Sequence, residues 1–585
     1  MSTENSKTIR INVPVLARVE GEGALEILIK GGRITRLKLR IYEPPRFFEK
    51  LLQGRSYQEL IDTVARICGI CPVAYQMSAI HAIESIFHTP TTPWIRQLRR
   101  VFYCGEWIQS HALHIHMLAA PDFLGCKSII ELAQKEPEAA QRGLRLQALG
   151  NSLITLLGGR SVHPVGAKVG GFYHAPSQQQ VAKLIPQLEQ GWRDSEALIL
   201  WLDTLTLPDD EQTFTSVAMR HPEEYPLNEG RIVSDGGLDI SIDEYPQHFK
   251  EHQVPHSTAL HSLFEGKPYL LGPLARLNIN QDRLSDEVLA PLAHSQFHFP
   301  SRNMYHSIAA RAVEIRFAIG EALNILQNYP LPEQPCVEIT PQAGSGFGCS
   351  EAPRGLLWHH YTVDEKGDIL KATIVPPTSQ NQARIEQDIA CSLEKYGLER
   401  SEDELRFQAE RVVRNYDPCI SCATHFLTLK LERDQQPSLK PELPPESGAE
   451  ILLLAIGSPF GSDTLAWQVA QQLPKQPNLQ IAYSNSPLTQ LTPLLESAKQ
   501  VVLLDALISK HPFGQLITLL PEQLLNQTHY SSHALSAMEL LALFNQLKKG
   551  DEPCHLIGIS VGDGSHSPSD QQLATIGQRL QQMLR

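Results

Sequence analysis

A chain of 585 residues exceeds one ordinary hydrophobic core, so two or more domains are expected. With 42% hydrophobic and 20% charged residues it reads as a globular protein and not as a disordered or fibrous one. A net charge of −13 without any basic run argues against nucleic acid as a main partner, and the apolar runs are too short to cross a bilayer.

The polar start Met1–Arg10 has no apolar signal core, so the expected location is the cytoplasm unless a partner carries an export signal. Strand character follows at Val13–Leu16, Ala24–Ile29 and Leu37–Ile41, with the polar Arg18-Val-Glu-Gly-Glu-Gly23 between the first two. Apolar residues at three- and four-residue spacing then predict long helices from about Tyr57 to Phe87 and from Ile95 to Leu118. The same spacing recurs over Glu136–Leu157, Gln178–Leu205, Tyr305–Gln327 and Gln380–Tyr396. Gly- and Pro-rich connectors are expected at Gly158–Gly171 and Gly344–Pro353. Residues 434–449 hold four prolines and read as an extended linker. Beyond it, the apolar runs Ile451–Ile456, Val501–Leu504 and His555–Ile559 alternate with helical patterns at Asp463–Leu473 and Leu535–Leu547. The expected fold class is therefore multidomain α+β. A mainly helical domain with an N-terminal β element occupies 1–433, a Pro-rich linker 434–449, and a small α/β parallel-sheet domain 450–585.

Six of the ten cysteines stand alone, as small buried residues of a reducing compartment do. The other four form two pairs, Cys68-Gly-Ile-Cys71 and Cys419-Ile-Ser-Cys422. Either pair alone reads most simply as structural zinc or coincidence. Their separation is far greater than in a zinc ribbon, so a four-thiolate site would have to be assembled by the whole domain. Thiolates select nickel, iron or zinc.

The flanks add a resemblance. Arg66-Ile-Cys-Gly-Ile-Cys-Pro72 and Asp417-Pro-Cys-Ile-Ser-Cys-Ala-Thr-His425 resemble the first and last signatures of the nickel–iron hydrogenase large subunit. Arg18-Val-Glu-Gly21, Arg46–Arg55, Gly158–Pro164 and Glu351-Ala-Pro-Arg-Gly355 agree in family order, so the match spans about 10–433. Tyr269–Asn278 and Pro376–Asn381 resemble the soluble, cofactor-coupled members. The resemblance implies an enzyme that cleaves H2 reversibly and heterolytically. Cys68 and Cys419 would be terminal nickel ligands, with Cys71 and Cys422 bridging nickel to an iron that carries cyanide and carbon monoxide. Cys419 is then the first proton acceptor, Glu20 the proton gate, and Arg354 the guanidinium above the metals. Glu49 and His425 would hold magnesium. On residues alone, Arg18 and Glu20 read as a surface pair, Arg354 as half of a structural ion pair, and His425 as an ordinary core or surface histidine. The sequence also departs from the family pattern. Tyr75 and Glu22 stand where many members have histidine; a phenol can still donate a hydrogen bond to a thiolate, so the surroundings of the cysteines are altered and not lost. Cys349 is either an extra thiol near the site or core packing.

No further cysteine cluster exists to relay electrons, and no Gly-x-Gly-x-x-Gly fingerprint follows a strand. The implied partners are an iron–sulfur small subunit and diaphorase-type subunits that bind NAD(P) and flavin. The C-terminal segment Ile451–Asp463, with Val501–Ala506, Ser531–Leu535 and Ile557–Ile559, resembles the endopeptidases that cut the family's precursor after the last histidine. Their metal ligands map to Asp505 and His533, but Thr464 stands at the first acidic position with Asp463 beside it. A hydroxyl is a poor divalent-metal ligand, so the domain is either a weakened peptidase using Asp463, an inactive docking module, or an α/β domain with no catalytic task. Three other readings of the whole are a quinone-reductase subunit, which the four retained cysteines disfavour, a hydrogen sensor, and a precursor held immature by its tail.

Overall fold

The structure, a computed structural model, describes residues 8–424 apart from 45 and 127, then 449–456, 465–474, 476, 478–484, 498–507, 511–519, 555–561 and 569–584. It divides into two compact units, Met1–Thr428 and Leu429–Arg585. The first is mixed α+β. Its N-terminal sheet is antiparallel, in the order β1 (Thr8–Val13), β2 (Gly23–Lys30), β3 (Arg33–Ile41). Alternate residues of β1 (Ile9, Ile11, Val13) and of β2 (Leu25, Ile27, Ile29) are buried, as the two-residue period of a strand dictates. The first strand lies earlier than Val13–Leu16, because Pro14 has no amide to extend the ladder beyond Val13.

Five helices build the largest core: α1 (Pro72–Ile86), α2 (Pro93–Leu113), α3 (Pro137–Gly158), α4 (Gln178–Asp203) and α5 (Ser307–Gln327). The α2 helix packs on α3 and α5 and runs on into a π-helical turn at His114–Ala119. The continuous helix expected over Tyr57–Phe87 is broken. Tyr57–Val64 is one helix and α1 starts afresh at Pro72. A proline lacks the amide hydrogen and its ring strikes the carbonyl four residues back, so Pro72 can only open a helix. The break contains both Cys68 and Cys71.

A hairpin of β4 (Phe249–Gln253) and β5 (Leu260–Phe264) precedes a further antiparallel sheet, β6 (Gly344–Ala352), β7 (Gly355–Val363) and β8 (Ile369–Val375). The connector expected at Gly344–Pro353 is thus mostly strand. It lies so close to α1 that a Cβ on Gly348 would collide with the Ser78 carbonyl oxygen. A loop-like composition here serves close backbone approach. Helices α6 (Pro377–Tyr396) and α7 (Glu402–Tyr416) follow, packing Ile385, Ile389, Leu405 and Val412 against the N-terminal sheet.

Among the described residues of the second unit five strands run in the order β10 (Leu479–Ser484), β9 (Ala449–Ile456), β11 (Ala498–Leu507), β13 (His555–Ser560), β12 (Leu516–Leu519). All pairings are parallel except the edge strand β12, a common exception in such sheets and one that four residues signal too weakly to foresee. Trp467 of α8 (Leu465–Gln471) and Ile576 and Leu580 of α9 (Asp570–Met583) pack in its core. The expected linker up to residue 448 and the expected helix at Leu535–Leu547 lie outside the described residues. Among the described residues no helix is long and apolar enough to cross a membrane.

Candidate metal centre

The first cysteine pair sits in the break before α1. Cys71 is the residue ahead of Pro72, and the amides of Val73 and Ala74, which have no partner within the helix, donate to the Glu106 carboxylate of α2 at 2.6 and 3.1 Å. Glu106 thereby fixes where the helix, and with it Cys71, begins. The Cys68 sulfur accepts the amides of Ile70 at 3.3 Å and Cys71 at 3.1 Å.

The second pair follows α7. Asp417 ends that helix in the left-handed conformation, with φ 57°. Beyond it, the Cys419 amide donates to the Thr378 hydroxyl of α6 at 3.0 Å, and Ile420 N donates to the Glu20 carbonyl at 3.0 Å. Gly21 makes that approach possible. At φ 88° any side chain is strained, and a Cβ there would also meet the Glu43 carboxylate and Ile420. Arg46 joins the two cysteine segments, donating to the carbonyls of Ile67 and Arg66 at 2.9 Å each and of Ser421 at 3.4 Å.

Four sulfurs converge. Cys68 and Cys71 lie 2.7 Å apart, Cys419 and Cys422 2.6 Å, Cys68 and Cys419 3.6 Å, and all four fall within 4.8 Å of one another. Each cysteine is at most 4% exposed. Burial raises the thiols of Cys71, Cys419 and Cys422, whereas hydrogen bonds from the other three hold Cys68 well below the usual thiol value despite its burial. Four thiolates this close and this dry would repel strongly without a shared cation. The donor set fits a soft or borderline metal pair and suits neither magnesium nor calcium.

Glu20 is partly buried beside this cluster, its carboxylate accepting the Ser421 amide at 3.2 Å and hydrogen-bonded to the Cys419 side chain. Burial, then the Cys68 charge, raises its pKa. The Ser421 hydroxyl, which also bonds Glu20, donates to Glu43 at 3.0 Å. Burial and the neighbouring Glu20 push Glu43 up to about 7. Arg354 is buried and grips Asp417, with Nε on the carbonyl at 2.5 Å and Nη2 on the carboxylate at 2.9 Å. Arg311 takes the other Asp417 oxygen at 3.3 Å. The Arg354 Nη1 is buried without a hydrogen-bond partner, and the charges of Cys419, Cys71 and Cys68 act on the guanidinium. The pair expected on residues alone is therefore present, with Asp417 as partner.

Glu49 is 8% exposed, accepts the Ile374 amide at 2.7 Å, and is pushed up to about 8 by burial. Glu251 lies close enough to add to that rise. His425, Asp463, Thr464 and His533 lie outside the described residues. Asp505 is buried near the end of β11, opposite Gly558 of β13. Tyr75 lies close enough to the cluster that the charges of all four cysteines act on its phenol, and Cys349 takes the core-packing alternative. The Tyr75 hydroxyl is buried without a hydrogen-bond partner, so the phenol to thiolate bond is not made; its ring instead lies tilted against His359, 5.6 Å between centroids. Cys349 packs with Leu356, Trp358 and Val375. The sequence does not single out Glu106 or Glu43, and it shows Asp417, Arg46 and Thr378 only within stretches that carry the family resemblance. Glu106 carries a signal of its own, as a carboxylate within the apolar run Val101–Ile108.

A family profile described as nickel-dependent hydrogenase matches residues 46–143 and 244–425. The chain is 31% identical over 426 residues to sulfhydrogenase 2 subunit alpha of Pyrococcus furiosus, covering 72% of this chain and 100% of that protein. It is 26% identical over 482 residues to the NAD-reducing hydrogenase HoxS subunit beta of Cupriavidus necator, covering 72% and 95%. Its fold is similar to the crystal structure of an NAD+-reducing nickel–iron hydrogenase in the H2-reduced state, with a TM-score of 0.67, 26% identity, and 72% and 100% coverage. The chain belongs to the nickel-dependent hydrogenase large-subunit family.

Proposed function

We propose that the first unit is the catalytic subunit of a nickel–iron hydrogenase, interconverting H2 with protons and electrons. One observation carries the reading: four buried cysteine sulfurs from distant parts of the chain lie within 4.8 Å of one another. Cys68 and Cys419 would hold nickel terminally, and Cys71 and Cys422 would share it with iron. When bound, that group supplies the centre at which H2 is cleaved heterolytically. The chain's own part is proton handling and charge control. The Cys419 sulfur takes the first proton and passes it to Glu20. Ser421 connects Glu20 with Glu43, whose pKa of about 7 suits both uptake and release near neutrality. Arg354, kept cationic and held by Asp417, places a fixed positive charge by the sulfurs without exchanging protons. Glu49, with Glu251 nearby, is a buried acidic setting that a magnesium ion would neutralise, His425 being its expected second protein ligand.

Electrons leave to a partner. Among the described residues no other group of cysteines lies within shared-ligand reach, which supports an iron–sulfur small subunit. The similarity to relatives named as NAD-reducing supports an NAD-linked electron acceptor, and diaphorase-type subunits that bind NAD(P) and flavin and a cytoplasmic setting belong to the same proposal. The division into 1–433, 434–449 and 450–585 is part of this proposal, while the compact units themselves divide between Thr428 and Leu429. The segment 450–585 is proposed to act in precursor maturation, which its strand and helix alternation and the buried Asp505 support.

Two measurements test the assignment. The purified complex is analysed for nickel and iron and assayed for H2-dependent dye reduction. Both metals with sustained turnover are expected, and both metals without turnover would favour a sensor. The mass of the chain is then compared before and after nickel loading. Loss of residues 426–585 would mark an active peptidase, and an intact, fully active chain would rule out cleavage as a requirement.

A further inference from the structure

Away from the cysteines, the hairpin β4–β5 lies against α6. Where they meet, a ring nitrogen of His256, one of His261 and a carboxylate oxygen of Glu386 fall within 4.8 Å of one another. His256 belongs to the hairpin loop, His261 to β5 and Glu386 to α6.

The simplest account is a plain hydrogen bond, His256 Nε2 to Glu386 Oε1, at 2.8 Å. That account leaves His261 unexplained. The residue is 2% exposed, one of its ring nitrogens lies within the cluster, and its Nε2 is buried without a hydrogen-bond partner. A buried polar atom left in this way is rare and costly unless something else occupies its lone pair. Burial, then the neighbouring His256 and His252, lowers His261 to about 3, so the ring is neutral and the lone pair is available. Metal ions bind imidazole in that form.

We propose that His256, His261 and Glu386 form a second metal site, for a divalent ion of the zinc class. Two imidazoles and one carboxylate are donors that zinc and its borderline neighbours accept readily. Three protein ligands leave at least one position for water, on the side where the side chains of His256 and Glu386 are 15% and 20% exposed. That side also gives the ion a way in. The Leu39 amide donates to Glu386 Oε1 at 2.8 Å, an outer contact that orients the carboxylate. An ion here would pin the hairpin and the N-terminal sheet to α6. The first turn of α6 carries Thr378, whose hydroxyl receives the Cys419 amide. The site is therefore a positioning and stabilising element for the helix behind the cysteines, and it takes no part in the reaction.

The test uses the nickel-loaded complex, in which the cysteines are already occupied. After mild chelation it is equilibrated with zinc, and bound zinc and melting temperature are measured. In parallel, cobalt replaces zinc as a spectroscopic probe. Wild type should take up one further equivalent of zinc per chain and melt at a higher temperature in its presence, since a ligand bound only to the folded state stabilises it. Cobalt should show nitrogen and oxygen ligation without sulfur charge transfer. His256→Ala, a change in a partly exposed loop, should weaken zinc binding by more than about 100-fold and abolish the thermal response. His261→Asn should do the same. Equal zinc uptake and equal melting shifts in wild type and His256→Ala would overturn the proposal, as would a cobalt spectrum dominated by sulfur.

Discussion

Around the cysteines, individual side chains have separate and distinguishable tasks in the proposed mechanism. Glu20 is hydrogen-bonded to Cys419 and Ser421, and Ser421 to Glu43, the order in which the proposed proton route would run. Replacing it with glutamine keeps size and hydrogen bonding but removes proton transfer. Glu20→Gln should retain nickel and iron while lowering H2-dependent dye reduction by about 10² to 10⁴-fold. Turnover at the wild-type rate would exclude Glu20 from the proton route. Arg354 works by geometry. Its planar fork reaches the carbonyl and carboxylate of Asp417 at once and still leaves Nη1 free of any protein acceptor. Lysine offers one compact charge and cannot make both contacts. Arg354→Lys is expected to keep its metals but lose about 10² to 10³-fold in kcat, the usual cost of removing an oriented charge from a dry site. A kcat within a factor of two of wild type would show that the fork is dispensable.

The elements explain why some of this was legible in the sequence and some was not. The four cysteines, Glu20 and Arg354 sit in short motifs whose spacing survives without any knowledge of the fold. The helices over 93–113, 137–158, 178–203 and 307–327 follow from a period that needs only neighbouring residues. Glu106 and Thr378 are different. Each acts on a backbone amide of another segment, and no local pattern records that partnership. The β6 strand is the clearest case. Its glycines look like a connector because the reason for them, the backbone of α1, lies elsewhere in the chain. Ser78 and Ser350, hydrogen-bonded at 2.7 Å, mark the same contact across 272 positions. The strand leads directly into Glu351 and Arg354, so its packing sets the position of the guanidinium. Gly348→Ala should therefore destabilise by at least about 1–3 kcal/mol, the range for overpacking a filled site, and should lower turnover through displacement of Arg354. Unfolding by urea reads the first effect and dye reduction the second. Gly237→Ala is a weak control because φ is 97° there. An unchanged midpoint for Gly348→Ala would refute the close-approach account.

At the scale of the whole first unit, buried ionisable groups set an acid limit on stability whose shape can be worked out. Burial lowers His111 to about 4 and His114 and His116 to about 3, from an ordinary 6.5. As pH falls below 6.5 the unfolded chain takes up three protons that the folded chain refuses, so these groups cost stability. Glu351 and Asp388 act in the opposite sense. Burial raises them to about 7 and about 6, so the folded state holds their protons more tightly than the unfolded state. Their contribution is complete below the unfolded values and is lost as pH rises toward 6 and 7. His261, also lowered to about 3, adds a fourth unfavourable proton, and Glu43, Glu49 and Glu251, raised to about 7, 8 and 7, join Glu351 and Asp388. Between about pH 4.5 and 6 four unfavourable protons are therefore set against five favourable ones, and stability changes little. Below about 4.5 the compensation ends, and Glu314 joins the losing side. Despite burial, its ion pair and hydrogen bonds with Arg276, then His111, hold it at about 2, so its contribution disappears as pH falls through that range. The expected profile is a shallow shoulder from pH 6 to 4.5 followed by a steep fall. The urea midpoint, followed by far-ultraviolet circular dichroism, which the helical first unit dominates, measures it directly. Glu314→Gln, which leaves Arg276 with one fewer charge partner, should lower the plateau and flatten the fall. A midpoint that declines evenly from pH 7 to 3.5 in wild type would mean that the buried histidines reach their protons without unfolding.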